Sequence, residues 1–173
     1  MKNLKTLSLL AILIVALSAN AFAQATASAT ATATIVAPIA ITKTVDLNFG
    51  NVAVIAAGTV ILAPSDGTRT KTGGVTLPNE VGTVTAASFN VTGEGNYTYS
   101  ITLPSSDYII TRIGGTETMT VNNFKSFPDV ADNGALTNGA QTLNVGATLN
   151  VAAAQLAGVY TNATGFDVTV NYN

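Results

Sequence analysis

From Ile35 onward the chain alternates apolar and polar residues with a period of two, the pattern of strands that turn one face to a core. Val45, Leu47 and Phe49 alternate with Asp46 and Asn48 until Gly50 and Asn51 break the run. Thr59-Val60-Ile61-Leu62 is a short apolar run closed by Pro64, Asp66 and Gly67. Gly73-Gly74 precedes Val75-Thr76-Leu77, which Pro78 and Asn79 end. Val81 to Val91 reads as one strand whose period slips at Ala87-Ser88, where a bulge is expected. Gly93-Glu94-Gly95 predicts a hairpin turn into Tyr97, Tyr99, Ile101 and Leu103. Ile109 to Ile113 and Thr116 to Phe124 predict a second hairpin, closed by a two-residue Gly114-Gly115 turn. Asn133-Gly134 and Asn138-Gly139 punctuate a loop before Gln141 to Val151, where Leu143, Val145, Ala147 and Leu149 share one face. Ala152 to Ala157 has room for one helical turn, and Phe166, Val168, Val170 and Tyr172 alternate almost to the last residue.

These are about eight to ten short strands with Gly, Pro and Asn turns between them, a spacing that predicts an all-β chain. The expected fold is an immunoglobulin-like β-sandwich of mainly antiparallel strands over residues 35–173. A transmembrane barrel also alternates, but it needs aromatic girdles and an outward apolar band on every strand. Only ten aromatic residues follow position 23, and most sit inside the strands.

The beginning of the chain has a different pattern. Lys2 and Lys5 precede an apolar run from Leu7 to Leu17, and Ala21-Phe22-Ala23 fits a small-x-small cleavage pattern. Residues 1–23 are therefore expected to be a signal peptide cut between Ala23 and Gln24. The product would be exported to the periplasm, the cell surface or the medium, with no membrane span in the mature chain. Residues 24–34 read QATASATATAT. In an extended conformation Ala25, Ala27, Ala29, Ala31 and Ala33, followed by Ile35, project to one side. This arm is either a flexible surface linker or a strand awaiting a partner sheet.

Composition narrows the chemistry. The 173 residues hold no Cys, His or Trp, and only 9% are charged. That removes thiol nucleophiles, His-based triads, haem, iron–sulfur centres and nearly every zinc site. Seven Lys and Arg against nine Asp and Glu cannot form the basic face that nucleic acid requires. No enzyme activity and no cofactor are expected. Asp129, Asp132, Asn133 and Gly134 form an oxygen-rich loop in which weak calcium binding is conceivable, but the spacing lacks an EF-hand's terminal bidentate Glu. The absence of a disulfide leaves core burial and sheet hydrogen bonds to hold the fold.

Two segments resemble known proteins. Ala157-Gly158-Val159-Tyr160, followed by the strand Phe166, Val168, Val170 and Tyr172, resembles the closing strand of chaperone–usher pilin subunits and of spore-coat-U type domains. Leu47-Asn48-Phe49-Gly50-Asn51-Val52 looks like the LxFG strand of the same families. As a whole, the chain is most similar to an uncharacterised family of exported bacterial domains of the DUF4402 type. The pilin resemblance implies a cell-surface structural or adhesive role, as a fimbrial-type subunit joined to its neighbours by β-strand addition. Ala25, Ala27, Ala29, Ala31, Ala33 and Ile35 would be the donor face, and Phe166, Val168, Val170 and Tyr172 the closing strand that a chaperone recognises. Implied partners are further copies or other surface subunits, a periplasmic chaperone and an outer-membrane usher. The other reading is a self-contained secreted module that binds a glycan or a protein, with both ends of the domain paired within the chain.

Overall fold

The longest run of alternation gives the longest strand. In a computed structural model that describes residues 24–173, Ala140–Val151 is a twelve-residue strand that buries Leu143, Val145, Ala147, Leu149 and Val151. Residues 1–23, and with them the expected leader and its cleavage at Ala23, lie outside the described residues. The chain divides into two units between Ile35 and Val36. In the first, residues 24–35 form no regular secondary structure and are exposed.

The second unit holds thirteen strands, and no helix occurs among the described residues. The strands are β1 (Ala40–Val45), β2 (Asn48–Phe49), β3 (Ala53–Leu62), β4 (Arg69–Thr76), β5 (Val84–Thr85), β6 (Ala87–Thr92) and β7 (Thr98–Thr102). They continue as β8 (Tyr108–Arg112), β9 (Thr118–Phe127), β10 (Gly134–Ala135), β11 (Ala140–Val151), β12 (Tyr160–Thr161) and β13 (Thr169–Tyr172). The largest sheet runs β1-β6-β11-β9-β8-β12, with β3 and β4 attached through β11. A three-stranded sheet runs β10-β7-β13, and β2 pairs with β5. All pairs are antiparallel.

β11 is the spine. On one edge it pairs with β9; on the other, β6 and then β3 follow each other along its length. The handover falls at Gly146, where a Cβ would collide with the carbonyl of Leu62 and the nitrogen of Pro64. Only glycine allows so close a backbone approach. One hydrophobic cluster joins the two main sheets: Tyr99, Ile101 and Val170 from the small sheet, with Phe89, Val91, Leu143 and Val145 from the large one. The protein is therefore an all-β sandwich. Among the described residues no buried side-chain nitrogen or oxygen lacks a hydrogen-bond partner. Ser126, the buried polar residue, donates its hydroxyl to the Pro128 carbonyl at 2.7 Å.

Several local expectations change. The slip at Ala87-Ser88 is a change of sheet together with a ladder irregularity: β5 pairs with β2, after Ala86 the chain enters the large sheet as β6, and the β1–β6 register shifts between Lys43 and Val45, opposite Phe89 and Ser88. The Gly93–Gly95 segment is not a hairpin turn, because β6 and β7 belong to different sheets. The β8–β9 hairpin is closed by four residues, since Arg112 N–H donates to the Glu117 carbonyl. Gly73-Gly74 lies inside β4, where Gly73 has φ +67° and the β3–β4 register shifts. No helical turn forms at 152–157. An unexpected bulge lies in β9, where Asn123 takes φ +49° and resets the alternation so that Val121 and Phe124 both face inward.

Candidate interaction site

The two ends of the sandwich unit meet at one seam. β1 pairs with β6 from Ala40↔Thr92 to Val45↔Ser88 and is an edge of the large sheet. β13 pairs with β7 from Thr169↔Thr102 to Tyr172↔Tyr99 and is an edge of the small one. Edge strands keep one row of backbone N–H and C=O groups free for another strand.

The predicted closing strand is packed within the chain. Val170 is buried, while Phe166, Val168 and Tyr172 pack against the core from partly buried positions. Phe166 meets Tyr108 edge-on at 5.8 Å and Phe124 at 4.8 Å between ring centroids. Such aromatic contacts add about 1 kcal/mol each to the burial itself. Only the second half of this segment is strand, Thr169–Tyr172.

Tyr172 fastens the seam. Its hydroxyl accepts from Glu94 N–H at 2.6 Å and donates to the Ala37 carbonyl at 2.8 Å. The Glu94 carboxylate accepts in turn from Ala37 N–H at 3.0 Å. Its ring meets Tyr97 edge-on and lies over Gly93, where any Cβ would strike the Tyr172 hydroxyl and Leu136. Thus Gly93-Glu94, which reads as a turn, supplies the floor and one acceptor of a clamp. Ala37 and Glu94 were not legible as site residues, because their partner is Tyr172, 135 and 78 positions away.

The predicted donor face, Ala25, Ala27, Ala29, Ala31, Ala33 and Ile35, lies in the first unit and pairs with no strand among the described residues; Ile35 is 96% exposed. The oxygen-rich loop closes on itself, with Asp129 accepting from Ala131 N–H at 2.9 Å in an Asx turn. Groups of three or more potential metal-ligating side chains do not occur among the described residues. Three ionisable groups there are shifted by a specific neighbour, among them Arg112, whose pKa Glu117 raises. Arg112 beside Glu117 holds that carboxyl below its ordinary range, and Thr68 does the same to Asp66 through its backbone N–H.

An all-β sandwich with a Tyr-clamped seam between two edge strands defines a class of scaffold rather than a chemistry. Within it, the chain belongs to the DUF4402 family, a domain of unknown function whose model matches residues 39–172. The match starts just before β1 and ends on Tyr172, so it covers the sandwich strands and leaves out the alanine arm. No curated protein and no solved structure matches the chain.

Proposed function

We propose that this is an exported cell-surface structural or adhesive protein of fimbrial type, in which the arm of one copy adds as a strand to a free sheet edge at the seam of the next. The observation that carries the reading is the pairing of two features. β1 and β13 are both sheet edges beside a seam that Tyr172 bridges through a side chain, and residues 24–35 form an exposed, alternating segment outside the sandwich unit. An added strand gains its affinity from backbone hydrogen bonds along the edge and its specificity from alternate side chains. The alanines give up roughly 2 kcal/mol each against a Val or Leu that fills a pocket. That leaves the backbone hydrogen bonds along the edge to carry most of the joint. A chaperone and an usher are the partners such assembly requires.

Replacing Ala29 with Asp tests the reading. A carboxylate on the inserted face loses its hydration without a partner, so assembly is expected to stop while the isolated domain melts unchanged. Normal assembly by the Asp variant would contradict strand addition through this arm. A second reading, a self-contained binding module, is favoured by one observation: β1 and β13 each already have a partner strand in the same chain.

A further inference from the structure

Across the outer face of the large sheet, the register places Thr72, Thr59, Asn150 and Thr120 side by side on four adjacent strands, β4, β3, β11 and β9. Their neighbours Val60, Leu149 and Val121 point into the core, so these four face away from it. At about 4.8 Å between strands, the row is roughly 14 Å long. It borders an open cleft of about 610 Å³, which also takes in Thr118 and Met119.

Glycines let two of the cleft's strands approach closely. Gly58 and Gly73 pair directly, and a Cβ on either would collide with the backbone of the other strand. Its polar groups are held by one another and only partly used. Thr59 and Thr72 share one hydroxyl hydrogen bond at 2.7 Å, which leaves one O–H of the pair free to donate. The Asn150 amide donates to Asn122 Oδ1 at 2.9 Å and to the Thr120 carbonyl at 3.3 Å, which leaves its own Oδ1 to accept. None of the lining residues is ionisable and none is aromatic.

We propose that this cleft is a binding site for an uncharged glycan chain. A charged ligand would lose hydration there with no counter-charge to replace it, and a flat apolar ligand would find no aromatic wall. A neutral polyhydroxylated chain matches on both counts: its hydroxyls meet the free donor and acceptor, and its C–H faces rest on Thr methyls and the glycine backbone. An open row of neutral hydrogen bonds gives weak single-site affinity, which repetition on a cell surface multiplies by avidity. The site does not depend on strand addition, since no residue of the arm or seam belongs to it.

The test is titration of the isotopically labelled protein with cellotriose, maltotriose, xylotriose and triacetylchitotriose in turn, following backbone amide shifts, with glycerol as the generic polyol. The expected result is saturable shifts centred on Thr59, Thr72, Thr120 and Asn150 for at least one sugar. Thr59→Val and Thr72→Val, which keep shape and remove a hydroxyl, should each weaken that binding about three- to tenfold. Thr142→Val, on the same sheet outside the cleft, should leave it unchanged. The site is overturned by the absence of saturable shifts with all four sugars, by shifts that glycerol reproduces, or by full binding in both cleft variants. Because the readout is a monomer spectrum, failure here leaves strand addition standing, and the converse also holds.

Discussion

Tyr172 shows how much a single side chain can carry at an edge. Its hydroxyl serves a backbone donor and a backbone acceptor from two different segments, so Tyr172→Phe strips both at once. The expected loss is about 1–3 kcal/mol, read from chemical denaturation. Tyr99 is the complementary case inside the core. It is fully buried, donates to Gln141 Oε1 at 2.7 Å, and burial pushes its pKa up to about 12 from the ordinary 10.0. A raised pKa means the folded state holds the proton more tightly. Its contribution to stability is therefore intact below pH 10 and lost as pH climbs from 10 toward 12. In an alkaline titration followed by phenolate absorbance, Tyr99 should ionise only as pH approaches its raised value of about 12, together with unfolding. Gly134 sits flat against the Tyr99 ring, leaving no room for a Cβ. Gly134→Ala is expected to cost about 1–3 kcal/mol by overpacking, visible as a lower melting temperature.

Among the elements, β11 was fully legible, because its inward residues keep strict alternation for five positions and both faces agree. β6 was legible as a strand but not as a change of sheet. A period slip looks the same in sequence whether the chain bulges or crosses to another layer. The β9 bulge was hidden because Asn122-Asn123 is polar in either phase; only the pairing register, which jumps between Gly146 and Thr148 on β11, exposes it. That position carries its own prediction. Asn123 has φ +49°, tolerable for Asn and strained for a β-branched residue. Asn123→Val should destabilise by about 1–2 kcal/mol, whereas Asn123→Gly should be nearly neutral, and thermal melts of the pair separate the two. The β8–β9 hairpin adds a pH effect. Arg112 lowers the Glu117 carboxyl, so the pair's stabilisation is present above the ordinary carboxylate range and fades as pH falls through the depressed value. Glu117→Gln should flatten that acid limb.

For the molecule as a whole, the all-β class and the two terminal segments could be read from residues close together in sequence. The clamp and the threonine-lined cleft could not, because each is assembled across strands from residues far apart in the chain. The row Thr72, Thr59, Asn150 and Thr120 exists only once β11 has fixed the register of β3 and β9. Residues 24–35 lie in a separate unit from the sandwich, so deleting them should leave the melting temperature within about 1 °C, a stability change near zero. Their use is expected between molecules. The most direct measurement is a denaturing gel of material sheared from the cell surface, run with and without boiling. A ladder in steps of one subunit that collapses on boiling is the predicted result, because strand-linked joints are non-covalent and the chain has no Cys to cross-link. A single monomer band in both lanes would contradict fimbrial assembly and leave a sandwich that closes on itself.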